Sequence, residues 1–260
     1  TRCLSDWSSD VCSSDLSETV RFHWRYDAVF RAVKTDFLLP LADEESPPGG
    51  GDLPHGNEEP PSGDQGLSGE NVAANISAAR RELDLLENYV LAFGIQGSQW
   101  TSGEPWKYTY APSLELDAGK QSERDEAFLR RINACRQWVS RPLLAFQKQI
   151  RQAATVKDMV RALYDLLIDV RAPERLERWS ADDVRRGMPE NAQEHRQIWD
   201  SVMDMLDQFV EVMGEENMTL ELFCGMLDTG LKAIRLGLVP PSLDQVLIGS
   251  IDRTRSSQVR

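Results

Sequence analysis

The chain has 260 residues, enough for one large domain or two small ones, and carries 42 Asp and Glu against 29 Lys and Arg, a net charge of −13. That balance argues against a broad non-specific nucleic-acid surface, which is normally basic, and leaves room for a local cationic groove. No apolar run approaches the roughly 18 residues that a membrane span needs.

The first sixteen residues, TRCLSDWSSDVCSSDL, keep neither a helical nor a strand period. They lack the apolar run of a secretory signal. Cys3 and Cys12 have no His between them and fit no common zinc spacing. The codons of a common short-read sequencing adapter do translate to DWSSDVCSSDL, Asp6 to Leu16, and upstream adapter bases with an index can encode TRCLS. Residues 1–16 are therefore read as adapter-derived and set aside, with native sequence expected from Ser17.

Ser17 to Leu39 reads as one helix, through Val20, Trp24, Ala28 and Val29, and Pro40 ends it. The stretch 41–71 is rich in Pro, Gly and acids and predicts a disordered insertion. Val72 to Phe93 predicts a helix with Ile76, Ala79, Leu83, Leu86 and Val90 as its stripe and Gly94 as the residue after its end. The loop GIQGSQWTSGEPWKYTYAPS carries Trp100, Trp106, Tyr108 and Tyr110. Such aromatics either stack on bases or pin an irregular loop to the domain, and pinning is the favoured reading. Ser122 to Gln152 predicts a helix bent or broken at Pro142. Thr155, with Asp158 three residues on, caps the next helix. Its stripe is Val156, Met159, Val160, Leu163, Leu166, Leu167 and Val170. Pro173 to Trp179 predicts a short helix, and Glu190 to Met213 a long amphipathic one. Thr219 caps a last helix ending near Leu238. Residues 244–250, DQVLIGS, then predict a buried strand with no partner in the chain.

Chemistry is sparse. LELDAGKQS fails the phosphate-loop pattern at Leu114 and Gln121, and no HExxH, ExxH or GxSxG is present. No metal site and no catalytic residue is assigned. His195 is read as solvated, and Asp182-Asp183 as a solvated or capping pair. Cys135 and Cys224 sit in apolar helical patterns and read as small buried hydrophobes of a reducing, cytoplasmic compartment. Arg130, Arg131, Arg136, Arg141, Lys148 and Arg151 punctuate one helix. They read either as a solvated face with acid partners such as Glu126 for Arg130, or as a strand-guiding groove. In VLIGSIDRTRSS, a strand runs into a turn that presents Asp252 and Arg253, as an ion pair or toward a phosphate.

Four strings, FHWRYDAVFRAVKTDFLLP, LDLLENYVLAFGIQGSQWTSGEPWKY, QIWDSVMDMLDQFVEVMG and LVPPSLDQVLIGSIDRTR, occur in this order. Together they resemble the B subunit of the bacterial ATP-dependent helicase/deoxyribonuclease, AddB of the AddAB complex. The resemblance implies a mainly α fold, a helical 2B-like insertion domain of a superfamily 1 helicase-like protein, with a terminal strand belonging to an incomplete RecA-like α/β core. Residues 17–40 would lead from that core, 72–242 would form the helical domain, and 243–260 would return to the core at the equivalent of helicase motif V. The residues implied there are Gly249, Ser250, Asp252, Arg253 and Arg255. Trp24, Arg25, Lys34, Trp100 and Trp106 are candidate contacts to DNA or a partner. The whole family protein implies ATP, Mg2+ and an iron–sulfur cluster, the A subunit of the helicase–nuclease heterodimer as partner, and duplex and single-stranded DNA. This piece itself would be non-catalytic, would carry no cofactor, and would guide DNA or pack against the A subunit in DNA-end processing for recombinational repair. An all-helical protein-interaction scaffold without a DNA role is the alternative.

Overall fold

The computed structural model describes residues 13–39, 69–110 and 118–234. Over these residues the chain forms α1 Ser13–Arg21, α2 Tyr26–Lys34, α3 Gly69–Phe93, α4 Ser98–Thr101, α5 Ala118–Gln152, α6 Val156–Asp169, α7 Ala172–Arg185, α8 Pro189–Met213 and α9 Leu220–Ala233. No β-strand occurs among the described residues, and one antiparallel bridge joins Thr155 to Asn217 ahead of α6 and α9. The strand predicted over 244–250 lies outside them, as does the predicted insertion up to residue 68. Residues 69–71 belong to the start of α3.

Local chemistry sets the helix ends. Gly94 takes φ +60°, and the Gly94 and Ile95 amides donate to the carbonyls of Leu91 and Val90 at 3.4 and 3.0 Å. That is the Schellman stop the glycine predicts, closed by the buried Ile95. Thr155 and Asp158 form a reciprocal capping box at the start of α6, and Thr219 accepts from the Leu222 amide to start α9. The predicted helix over 173–179 is longer than expected, Ala172–Arg185, because Pro173 starts it without interrupting it and Leu176 and Ser180 bury its inner face.

One expectation changes and one is narrowed to the first of its two alternatives. The helix predicted from Ser17 to Leu39 is broken into α1 and α2. His23 and Trp24 take φ +54° and +58°, a left-handed corner that turns the chain between them. Pro142 does not break α5, which runs continuously across it from Ala118 to Gln152. Flanking Val139 and Leu143 are fully buried, so packing holds a helix that the proline alone disfavours.

One hydrophobic core draws on every helix. The α6 stripe, with Val156, Met159, Val160, Leu163, Leu166 and Leu167 all buried, runs through its middle. Each such side chain contributes about 1.5–3 kcal/mol by leaving water. α5 packs along α6 and α3, and α7 pairs with α8. α1 and α2 share this core through Leu16, Val20, Trp24, Val29 and Phe30. Leu16, the last of the residues read as adapter-derived, is therefore part of the packing, as a leucine at that helical position would be whichever codons specify it.

Candidate functional site

The α1–α2 corner meets the aromatic loop after α3 in a knot of three tryptophans. The backbone amide of Gly97, at φ +61°, donates to the Trp24 carbonyl at 3.0 Å. The Trp24 indole N–H donates to Gln147 Oε1 on α5, also at 3.0 Å. Trp24 stacks on Trp100 with centroids 6.2 Å apart, and Trp106 meets the edge of Trp100 at 4.9 Å. Tyr89 of α3 stacks on the other side of Trp106 at 5.8 Å. Offset and edge contacts of this kind are worth about 0.5–1.5 kcal/mol each beyond the area they bury.

Two α5 side chains lash the loop down. Asn133 acts as a substitute strand: its Oδ1 accepts from the Trp106 amide at 2.7 Å and its Nδ2 donates to the Trp106 carbonyl at 2.9 Å. Arg136 is 4% exposed, donates to the carbonyls of Trp100 and Glu104, and lies 4.8 Å over the Trp106 ring. Burial pushes its guanidinium pKa down, and carbonyl oxygens and a ring face, rather than a carboxylate, compensate the charge. The Trp100 indole N–H finds no acceptor among the described residues.

This geometry corrects three of the candidate contacts. Trp24, Trp100 and Trp106 are at most 5% exposed, so their rings fill the core and offer no face to a DNA strand or partner. Of the loop aromatics, Tyr108 and Tyr110 stay about half exposed, both resting on Phe93. Arg25 and Lys34 remain on the surface. Arg25 pairs with Asp27 at 3.2 Å, and Lys34 with Glu87 at 2.8 Å. Glu87 also accepts from the Tyr26 hydroxyl, which drives that phenol up to about 12. Gly249, Ser250, Asp252, Arg253 and Arg255 lie outside the described residues.

His195, Asp183 and Arg175, buried away from the aromatic loop, are structural. His195 is 6% exposed and meets Asp183 at 3.2 Å, so it is not the solvated residue expected. Burial pushes its imidazole down in pKa, and the Asp183 carboxylate offsets part of that. Asp182 and Asp183 part company, the first pairing with Arg185 on the surface and the second turning inward. Arg175, which sequence reasoning passed over, is buried and donates to the carbonyls of Val170, Asp36 and Leu39, tying α7 to the chain just after α2. An arginine inside an amphipathic pattern is indistinguishable in sequence from an exposed one, so neither Arg136 nor Arg175 announced itself.

Cys135 and Cys224 are both free and buried. Burial raises the Cys135 thiol to about 12 and raises Cys224 as well. Cys135 faces Glu82, and Cys224 faces Ser17. Such thiols do not fit an iron–sulfur cluster, whose ligands are clustered thiolates. Among the described residues no three His, Cys, Asp or Glu side chains group to hold a metal ion. No described helix is long and apolar enough to cross a membrane.

What the fold defines is a helical domain whose buried polar groups hold shape. No family model matches the chain. It is 38% identical over 249 residues to the B subunit of the ATP-dependent helicase/deoxyribonuclease of Desulforudis audaxviator, covering 94% of this chain and 18% of that protein. It is 35% identical over 243 residues to the protein of the same name from Bacillus pumilus, with 94% and 18% covered, and 36% identical over 249 residues to that of Bacillus anthracis, with 96% and 19% covered. The chain is a homologue of a segment of the ATP-dependent helicase/deoxyribonuclease B subunit, and it spans under a fifth of the length of these curated relatives.

Proposed function

We propose that the protein of which this chain is a part processes DNA ends at double-strand breaks for recombinational repair, and that residues 72–242 act there as a non-catalytic 2B-like domain that guides DNA or packs against the A subunit in the cytoplasm. The observation that carries the reading is the 35–38% identity, over 94% of the chain or more, to helicase/deoxyribonuclease B subunits. The interior supports it: the buried ionisable groups, His195, Asp183, Arg136 and Arg175, are engaged with each other or with backbone carbonyls. ATP, Mg2+ and the iron–sulfur cluster belong, on this reading, to other parts of the whole protein. Gly249 to Arg255 would return the chain to a RecA-like core at the motif V equivalent.

The test uses the full-length protein in complex with the A subunit, together with linear duplex DNA. Arg253→Ala is expected to weaken DNA-end binding or slow ATP-dependent resection. Unchanged binding and resection across a range of salt concentrations would reject the role given to that turn.

A further inference from the structure

From Ala127 to Lys157 the sequence holds no Asp or Glu, in a chain with 42 of them. Within that stretch Arg130, Arg141, Lys148 and Arg151 are all exposed on α5. At 3.6 residues per turn, Arg130, Arg141 and Lys148 fall within about 20° of one another and Arg151 lies about 60–80° to one side of them. The opposite side of the helix carries the fully or nearly buried Ile132, Cys135, Val139, Leu143, Phe146 and Ile150. The four cations thus form one row pointing straight away from the core, with exposed Gln137 and Gln152 in the same row. The row spans about 30 Å of helix axis at 1.5 Å per residue, roughly nine base pairs of duplex at 3.4 Å each.

Several of the exposed cations elsewhere are paired with carboxylates: Arg25 with Asp27, Lys34 with Glu87, Arg80 with Asp36, Arg185 with Asp182 and Lys232 with Asp228. On α5 it is Arg131, at the edge of the row, that pairs with a carboxylate, Glu82 of α3. The row itself has no such partner among the described residues, and the expected Glu126–Arg130 pair is not formed. We infer that this face of α5 is a phosphate-binding surface for the DNA backbone, with Arg130, Arg141, Lys148 and Arg151 as its charge contacts. A protein partner would require an apolar or aromatic anchor at the centre of its footprint. The large exposed apolar side chains, Leu91, Tyr108, Tyr110, Tyr164, Ile168, Val184, Val212 and Leu222, all lie off α5. A row of Arg, Lys and Gln without an anchor suits a uniform anionic backbone, read without base specificity. The inference rests on the proposed role in DNA-end processing and chooses DNA over the A subunit for this one face.

The experiment is fluorescence anisotropy of this chain with a labelled 20-base-pair duplex, from 25 to 200 mM salt. Four phosphate contacts give a slope of log K against log salt of about −3.6, and Arg141→Gln/Lys148→Gln reduces its magnitude by about 2 and weakens binding at least tenfold at the lowest salt. Arg141→Lys, which keeps the charge, retains most of the affinity, and Arg185→Gln/Lys232→Gln, which removes cations elsewhere, leaves it unchanged. Circular dichroism confirms that each variant is folded. Equal affinity and slope for the Arg141/Lys148 variant and the parent overturn the inference, as does the absence of any salt-dependent binding by the parent chain. Capture of the purified A subunit is measured on the same variants. Loss of capture with DNA binding intact overturns the DNA assignment of α5 but keeps the domain in the complex, whereas a parent chain that binds neither overturns the proposed role itself.

Discussion

The indole N–H of Trp24 donates to the side-chain oxygen of Gln147 across 3.0 Å, linking positions 123 residues apart. Trp24 stands at φ +58° in the α1–α2 corner, and Gln147 is a buried polar residue on the inner face of α5. One hydrogen bond therefore holds a strained corner against the longest helix. Gln147→Met removes the acceptor and leaves the indole N–H buried, at a cost of about 1–3 kcal/mol. Trp24→Phe/Gln147→Met is expected to fall short of the summed single losses. A double-mutant cycle by urea unfolding measures the coupling, and strict additivity would contradict it.

Arg136 is the clasp of the aromatic loop. Arg136→Met strips the donors from the Trp100 and Glu104 carbonyls and the cation from the Trp106 face. The expected loss is about 1–3 kcal/mol. Limited proteolysis between Ser102 and Lys107 is expected to accelerate before the rest of the domain opens, with a red shift in tryptophan emission.

The His195–Asp183 pair makes stability pH-dependent in a set direction. Burial holds the folded imidazole pKa below its unfolded value, so the unfolded state takes up the proton first as pH falls. The stabilising contribution is complete above about pH 6.5 and is lost as pH drops below it toward the folded value. His195→Gln is expected to flatten this part of the curve. Asp183→Asn removes the group that supports the imidazolium and steepens the loss. Thermal unfolding from pH 8 to pH 5 reads both.

Cys135, raised to about 12, and Cys224, also raised, are protonated at neutral pH and shielded. In a Cys3→Ser/Cys12→Ser background neither is expected to react with a thiol reagent at pH 8 on the native chain, and both are expected to react in strong denaturant. Rapid native labelling would contradict the burial of α5 and α9.

Much of the fold was legible because its signals are local. Apolar spacing, the Thr155–Asp158 box and Gly94 each act within one turn, and they place α3, α5, α6 and α8 close to their observed bounds and α9 at its start, although α9 ends at Ala233 and not near Leu238. The corner at His23–Trp24 was not legible, because no Gly or Pro marks it. What forces it is distant: the Gly97 amide and Gln147 amide group hold Trp24 from other elements. The same distance explains the site. Pinning of the aromatic loop was the favoured reading, but the side chains that pin it, Asn133 and Arg136, sit on another helix. His195 looked solvated because it lies in the polar half of α8, and only the packing of α7 brings Asp183 to it.

This helical domain is proposed to belong to a DNA helicase/deoxyribonuclease. Amplifying outward from the codons for Leu83 to Gly94 and sequencing both flanks of the parent gene tests it most directly. A longer open frame is expected, with a phosphate-binding loop upstream, nuclease residues and clustered cysteines downstream, and no adapter codons before Ser17. A frame that opens with Met close to Ser17 and stops soon after Arg260 would contradict it and leave a self-contained helical scaffold in its place.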